Sequence, residues 1–403
     1  MIDADKALRI VLDSVRILGH ETVKLEEALG RVLAEDVVAN QDIPPFPNSS
    51  MDGYAIVASD LACASSRVPV KLRVIGESSA GSPFRRGIKG GRAVRIMTGG
   101  MIPRGADAVV PIELTKGEKE GWVSFTAPIL PGQNVRAAGE DIRHGEKILS
   151  KGTKIGPAQT GILSSLGHVR VKVIRRPRIN VLATGNELVD TTRKPKSGQI
   201  RNSTSHSLSA YVAEEGGVPF RRGVAGDDVI RLQSRIKDAL DCDILLITGG
   251  VSVGRYDYVK DVLKKIGVTI KFWQVNIKPG RPLVFGKFRK TLVFGLPGNP
   301  VSTSVTFLQF VRPAMRAMTG RTFKPFLVPA RIDHDFSKSD GKRHYVRCKA
   351  EVRNGEIHAR QTGSQSSGVM SSMSKANALM IIPEKVKLLK TGDRVQLELL
   401  SHA

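Results

Sequence analysis

The 403-residue sequence has few of the residues that build disulfide scaffolds or zinc sites. Its three cysteines, Cys63, Cys242 and Cys348, lie far apart and form no Cys-x-x-Cys pair. This spacing argues against a disulfide framework or a cysteine-zinc site, and it is typical of a reducing compartment. The eight histidines show no His-Glu-x-x-His or other ligand spacing. No apolar run approaches the length of a membrane span, and the N-terminus has no signal-peptide core. We therefore expect a cytoplasmic protein without a membrane partner.

Acidic residues and large aromatic residues are also scarce. Lys and Arg number 62 against 38 Asp and Glu, which gives a net charge of +24. Such a field favours anionic partners, including nucleic acid and phosphorylated small molecules. However, the basic residues are scattered, only two Trp and five Tyr are available for base stacking, and no nucleic-acid signature motif is present. Nucleic acid is therefore not an expected partner, and most of the charge is interpreted as a solvated basic surface.

The order of patterns along the chain predicts a multidomain α/β and β protein. The length accommodates roughly two to four domains. Strand–glycine–helix units after Pro177 predict a doubly wound, mostly parallel sheet, and the short strands after Pro325 predict a β-barrel. Together with a discontinuous domain and a β-rich domain, the expected boundaries are 1–45 with 146–176 (discontinuous), 46–145 (β-rich), 177–325 (doubly wound) and 326–403 (barrel).

The strongest local patterns are two glycine loops that follow short apolar strands in the α/β region. The first contains Gly249, Gly250, Ser252 and Gly254; the second runs from Pro297 through Gly298, Asn299 and Pro300 to Ser302. Asn299 and Pro300 suit the N-cap and first position of a helix, whose free amides could bind an anion. The alternative is a well-capped helix that binds nothing. The nearby cations Lys278 and Arg281 favour the anion pocket.

Five acids beside glycine form a candidate polar site: Asp52, Asp141, Glu187, Asp227 and Asp257. Each also has a structural interpretation as an N-cap, a first-turn acid or a turn brace. If they converge on one cleft, their oxygens suit Mg²⁺ together with substrate phosphates. From the residues alone, the prediction is a cytosolic enzyme for an anionic, phosphorylated ligand.

The motifs taken together resemble the MoeA-type molybdopterin molybdenumtransferases, a group that includes gephyrin and plant molybdenum-insertase E domains. The matching segments occur in family order over nearly the whole chain: 48–55 (NSSMDGYA), 97–99 (MTG), 105–110 (GADAVV), 139–142 (GEDI), 184–188 (TGNEL), 248–254 (TGGVSVG), 278–280 (KPG) and 296–302 (LPGNPVS).

The resemblance implies a four-domain homodimer in which the discontinuous domain is an elongated linker domain. It also implies that the protein inserts molybdate into adenylylated molybdopterin, releases AMP and uses Mg²⁺ or a similar divalent cation. It places the cleft between the doubly wound domain of one subunit and the β-rich and barrel domains of the other. Transient contact with a molybdopterin adenylyltransferase and with apo-molybdoenzymes is also implied.

Matching positions carry the family's expected roles. The resemblance implies catalytic roles for Asp52, Thr98, Asp141 and Glu187, and metal and pterin binding by Asp227 and Asp257. Lys278, Pro297 and Pro300 match third-domain loops, while Arg347 and Ser367 resemble basic and hydroxyl groups near the molybdate. This sequence departs from many relatives at Gln274, where they have Lys, and at Thr204, where they have Asn.

Three other functions stay open at this point. A receptor-clustering scaffold is known in the gephyrin branch, although no long linker or additional N-terminal domain is present here. A nucleic-acid binder would exploit the +24 charge. A related adenylyltransferase would share the doubly wound domain but would not need residues 46–145 or the barrel.

Overall fold

The computed structural model describes residues 1–226, 228–250 and 258–400. Helix α1 (Ala4–Asp13) begins after Asp3, whose carboxylate accepts hydrogen bonds from two first-turn amides. Beyond the end of this helix, the Leu18 N–H donates to the Met318 carbonyl. The buried face of α1 packs into the core of the α/β region, so the first residues do not pack with 146–176 as expected.

The chain then runs through an extended segment and a β-rich region. Strand β1 (His20–Lys24), a 3₁₀ turn (Leu25–Glu27) and β2 (Val37–Val38) come first. The β-rich region contains β3 (Asn48–Ser49), β4 (Gly53–Ile56), a 3₁₀ turn (Ala58–Leu61), β5 (Val70–Ser78), β6 (Arg92–Ile96), β7 (Ala108–Pro111), a 3₁₀ turn (Ile112–Leu114), β8 (Thr115–Lys119), β9 (Trp122–Phe125) and β10 (Val135–Arg136). Six of these strands form one sheet in the order β7-β4-β6-β5-β9-β8, whose apolar residues make their own core.

A return segment completes the extended unit. It contains β11 (Lys147–Leu149), α2 (Pro157–Ser165) and β12 (Arg170–Ile174). Strand β12 pairs antiparallel with β1, and β11 pairs with β2. A separate core joins residues from 23–43 to residues from 142–173. This packing makes the unit discontinuous in sequence.

The α/β region is built on a six-stranded sheet in the order β16-β13-β17-β21-β20-β18. Its elements are β13 (Arg178–Thr184), β14 (Leu188–Val189), β15 (Ile200–Arg201), α3 (Thr204–Glu214), β16 (Val218–Ala225), α4 (Val229–Asp238), β17 (Ile244–Thr248), α5 (Val259–Lys265), β18 (Thr269–Gln274), β19 (Ile277–Lys278), β20 (Pro282–Phe288), β21 (Thr291–Leu296), α6 (Pro300–Thr306), a π-helical turn (Phe307–Val311) and α7 (Arg312–Met318). The first four strands of the order are parallel to one another. Strand β20 runs antiparallel to β21, and β18 runs antiparallel to β20.

Both faces of this sheet are covered by helices. Apolar residues of α1, α3, α6 and α7 form the core on one face, and α4 and α5 form it on the other. Every residue of β17 is buried, which explains why its sequence is a continuous apolar run and does not alternate. The doubly wound, mostly parallel sheet predicted from the sequence is confirmed.

The C-terminal region is a closed barrel, as predicted. Its elements are β22 (Leu327–Ile332), β23 (Phe336–Ser337), β24 (Arg343–Arg353), β25 (Glu356–Gln361), α8 (Met370–Ser374), β26 (Ala378–Ile382), β27 (Leu388–Leu389) and β28 (Arg394–Leu399). Strands β24, β25, β22, β28 and β26 pair in a ring that the β24–β26 contact closes. Closure removes the exposed sheet edges that would otherwise pair with other chains. Within the described residues, no helix combines the length and apolar character needed to cross a bilayer.

Candidate active site

A cleft of about 420 Å³ lies at the carboxyl ends of β13, β17 and β21. Parallel strands end together at this edge of a doubly wound sheet, which is where such folds bind ligands. Seven of the residues predicted from the sequence line this cleft, which we call the site cleft: Glu187, Gly249, Gly250, Pro297, Gly298, Asn299 and Pro300. The structure therefore brings both glycine loops and one predicted catalytic acid together.

The two glycine loops touch through bare backbone. Gly249 has φ +88°, and a Cβ on it would lie 2.6 Å from the Thr184 carbonyl oxygen. A Cβ on Gly298 would lie 3.5 Å from the Gly249 Cα. A side chain on Gly249 would therefore push against the Thr184 turn at the end of β13. Glycine is thus required here for close approach and for its positive φ.

The Glu187 carboxylate lies against the backbone of Gly185. A Cβ on Gly185 would lie 2.3 Å from Glu187 Oε2, and Gly185 has φ +138°. The absence of a side chain at position 185 therefore leaves the space that the carboxylate occupies. The adjacent Thr184 hydroxyl donates to the Thr248 carbonyl at 3.2 Å and ties this turn to the first glycine loop. The sequence thus places an acid at the floor of the cleft.

A loop of the barrel makes hydrogen bonds with the N-terminus of α6. Asn299 is at the N-cap position as predicted, but its side chain makes no capping hydrogen bond to the helix. Its Nδ2 donates instead to Ser367 Oγ at 3.0 Å, and the Val301 N–H donates to the Ser367 carbonyl at 3.1 Å. The expectation of freely available amides is therefore wrong for Val301, because a barrel loop already uses that donor.

Arg347 supports the same barrel loop from inside. Its side chain is buried, with 1% of its surface exposed. Its Nε donates to Ser372 Oγ at 3.2 Å, and Nη2 donates to the carbonyls of Ser364 and Ser366 at 3.3 and 3.1 Å. Burial lowers the pKa of Arg347 to about 10, so the group stays protonated at neutral pH. Arg347 thus holds the loop that reaches the site cleft through Ser367.

The two predicted cations of the 278–281 loop have partners of their own. Lys278 Nζ lies 3.3 Å from Asp340 Oδ2 of the barrel, and Arg281 Nη2 donates to Gln274 Oε1 at 3.5 Å. Neither residue is among those that line the site cleft, although the neighbouring Pro282 is. Gln274 accepts this hydrogen bond, whereas a lysine at the same position would repel Arg281. Ser302 is buried within α6 and also lies outside the lining.

Asp52 and Thr98 form a pair in the β-rich region, outside the lining of the site cleft. Asp52 Oδ1 accepts hydrogen bonds from the Thr98 N–H at 2.7 Å and the Thr98 hydroxyl at 2.8 Å. The backbone bond and then the side-chain bond lower the pKa of Asp52. Both residues are exposed, as is Asp141, whose backbone N–H donates to the Ile43 carbonyl. The site residues predicted in the β-rich half therefore face solvent in this chain.

Four predicted residues lie outside the described part of the chain: Ser252, Gly254, and the metal candidates Asp227 and Asp257. Among residues 1–226, 228–250 and 258–400, no group of three or more His, Cys, Asp or Glu side chains could hold a metal ion. The expectation of a carboxylate metal site therefore rests on residues for which no geometry is described.

Two polar residues of the site cleft, Arg201 and Ser203, are not predicted from the sequence, and Thr204, noted there only as a departure from relatives, also lines the cleft. Arg201 ends β15, which pairs in parallel with β14, and Ser203 and Thr204 follow it. A polar run that directly precedes a helix could have indicated them, because helix N-termini after sheet strands point toward the binding edge.

The fold and the cleft define an α/β enzyme with additional β domains and a polar ligand site at the carboxyl edge of its sheet. Three family models match the chain: "MoeA N-terminal region (domain I and II)" over residues 2–167, "Probable molybdopterin binding domain" over 180–317, and "MoeA C-terminal region (domain IV)" over 329–400. The chain belongs to the molybdopterin molybdenumtransferase family, whose members are transferases of molybdenum cofactor biosynthesis.

Individual relatives agree over the full length. The chain is 35% identical to a molybdopterin molybdenumtransferase of Bacillus subtilis, with 99% of this chain and 94% of the relative covered. It is 34% identical to the Haemophilus influenzae protein of the same name, with 95% and 94% covered. A solved molybdopterin biosynthesis moeA protein from Pyrococcus horikoshii OT3 is 33% identical, with a TM-score of 0.85 and 99% and 100% covered. These matches confirm the resemblance to the MoeA-type family that the sequence motifs indicate.

Proposed function

We propose that the protein inserts molybdate into adenylylated molybdopterin, releases AMP, and depends on Mg²⁺ or a similar divalent cation. The observation that carries this proposal is that Glu187 and two glycine loops line the same cleft. The full-length similarity to molybdopterin molybdenumtransferases supports it. Backbone amides and helix ends of this kind suit oxyanions and phosphates. We further propose that it acts in the cytoplasm, between a molybdopterin adenylyltransferase and apo-molybdoenzymes.

Glu187 is proposed to handle protons during insertion. When a dithiol replaces one oxygen of molybdate, two S–H bonds break, two Mo–S bonds form, and the departing oxygen takes both protons as water. A carboxylate beside the reacting atoms can accept and return such protons. Its position over Gly185 fixes the group at the floor of the cleft, and Thr184 braces the turn that carries it.

The donor chemistry of the cleft fits a divalent cation. Mg²⁺ is usually bound by one or two carboxylates together with substrate phosphates and water. Glu187 supplies one carboxylate to the site cleft, and Asp227 and Asp257 are the further ligands that the family resemblance suggests. A bound cation would neutralise charge that develops on the leaving AMP.

Asp52, Thr98 and Asp141 are proposed to act from a second copy of the chain. They lie outside the lining of the site cleft, and the Asp52–Thr98 pair is exposed. A homodimer with two-fold symmetry would place the β-rich region of each subunit over the site cleft of the other. Lys278, Arg281 and Ser302 are proposed to shape the α/β side of that composite cleft. Arg347 and Ser367 are proposed to shape its barrel side, with Arg347 acting through the loop it holds.

The decisive experiment supplies purified protein with adenylylated molybdopterin, molybdate and Mg²⁺. AMP release is measured by chromatography, and cofactor formation is measured by activation of an apo-molybdoenzyme. We expect both signals with wild-type protein, and neither without molybdate or after chelation of the cation. Glu187→Gln should lower turnover more than it lowers pterin affinity. Folded wild-type protein that gives neither AMP nor an active molybdoenzyme would disprove the proposal.

A further inference from the structure

The charge of the site cleft does not match the proposed substrate. Among the residues that line it, one acid (Glu187) and one base (Arg201) are charged, so their formal charges cancel. Adenylylated molybdopterin carries several anionic phosphate oxygens, which need cationic or amide donors once they leave water. Cations beside this cleft would supply donors that its own lining lacks.

A second cleft of about 990 Å³ lies directly beside the first, under the β14–β15 arm and against the edge strand β16. We call it the arm cleft. Leu188 lines both clefts, and the segment that starts α3 divides them. Ser203 and Thr204 face the site cleft, whereas Asn202 and Ser205 face the arm cleft. Because Leu188 borders both clefts, a ligand could extend from one cleft to the other past this side chain.

The arm cleft contains the missing cations. Arg193, Arg221 and Arg222 line it, and none of the three makes an ion pair with any residue in the described ranges. The one acid of the lining, Asp190, has its Oδ1 engaged by the Thr192 N–H at 3.0 Å and the Thr192 hydroxyl at 2.8 Å. These two bonds, and more weakly the charge of Arg221, lower the pKa of Asp190. Three guanidinium groups thus face one carboxylate in this lining, which leaves an excess of positive charge.

Two of these arginines have side-chain partners other than carboxylates. Arg221 Nη1 contacts the His206 ring, with 2.6 Å to Nε2, and Arg222 Nε donates to Asn180 Oδ1 at 3.0 Å. A partner without negative charge orients a guanidinium and does not cancel its charge. The remaining N–H donors of the planar fork can then bind a tetrahedral oxyanion through two parallel bonds.

We propose that the arm cleft is an oxyanion subsite in which Arg193 and Arg221 hold a phosphate of the adenylylated substrate while the pterin occupies the site cleft. This inference rests on the proposed function for the identity of the ligand. A volume of about 990 Å³ is at the upper end of small-molecule sites, which favours a nucleotide-sized group. The phosphate could belong to the nucleotide or to the pterin, and molybdate offers the same tetrahedral charge.

Isothermal titration calorimetry of the full chain separates these sources. The titrants are AMP, adenosine, molybdopterin without the adenylyl group, and molybdate. The variants are Arg193→Gln, Arg221→Gln, the double variant, Arg221→Lys, and Arg170→Gln as a matched control on the exposed face of β12. We expect AMP affinity to fall about tenfold for each arginine removed, because each loses a charge-assisted contact. Adenosine affinity should be the same for all variants, and the Arg170→Gln variant should bind AMP with wild-type affinity.

Each alternative source has its own outcome. Loss of molybdopterin or molybdate affinity without loss of AMP affinity would support the oxyanion subsite and reassign its ligand. Arg221→Lys should keep the salt dependence of binding but lose affinity, since lysine retains the charge without the fork. Unchanged affinity of the folded double variant for all three anions would overturn the inference. If the variants behave as expected but no molybdenum is inserted, the subsite stands and the proposed function fails.

Discussion

Subunit complementation tests whether the site is composite. Asp52 is held by Thr98 in the β-rich region, whereas Glu187 lies in the α/β cleft, and Asp52 is not among the residues that line that cleft. In a symmetric dimer with shared sites, each site would combine Glu187 of one subunit with Asp52 of its partner. A heterodimer of an Asp52→Asn chain and a Glu187→Gln chain then has one intact site and one doubly altered site.

The expected magnitude follows from this count. Two affinity tags isolate the heterodimer, whose turnover should be about half that of wild type, because one of two symmetric sites is intact. A matched hybrid pairs a wild-type chain with a chain that carries both substitutions. In composite sites every site of that hybrid lacks one acid, so it should be inactive. AMP release measures both hybrids. Inactivity of the first hybrid with half activity of the second would refute the composite geometry.

The remaining predictions concern individual side chains. Thr98→Val removes the hydroxyl bond that lowers the pKa of Asp52. Since the wild-type Asp52 stays ionised until the pH falls below its lowered pKa, the variant should lose activity at a higher pH on the acidic side of the profile. Arg347→Ala removes three hydrogen bonds of a buried group and should lower the free energy of unfolding by about 3 kcal/mol in urea denaturation. The exposed Arg360→Ala is its control, and equal stability of the two variants would contradict the buried role. Gly185→Ala should displace the Glu187 carboxylate and lower turnover without an equal loss of molybdopterin affinity; unchanged turnover would show that the carboxylate position does not matter.

Much of the backbone was predictable because its signals are local. The strand of 244–248, the helix after Asn299 and the glycine turns at 249 and 298 lie within a residue or two of their expected places. Burial on both faces gives a continuous apolar strand, and the positive φ of Gly249 selects glycine, whatever the rest of the chain does. The antiparallel β18–β20 pair was not predicted, because no glycine–helix unit follows either strand.

The partners of polar side chains were not predictable in the same way. Asn299 was expected to cap its own helix, yet its amide bonds Ser367, a residue 68 positions later. Lys278 was expected in the anion pocket and pairs with Asp340. The sequence does not distinguish three arginines from the other scattered basic residues: Arg193, Arg221 and Arg222. The β14–β15 arm and edge strand β16 bring them together around one cleft.

The sequence by itself determined the order of domains, the doubly wound sheet, the barrel, and the loops where a ligand can approach bare backbone. Short-range spacing and backbone conformation encode these features. Only the tertiary structure decided which charges are already neutralised and which cations remain unpaired in the described part of the chain. That choice depends on side chains from distant segments, whose distances are set by packing and not by spacing along the chain.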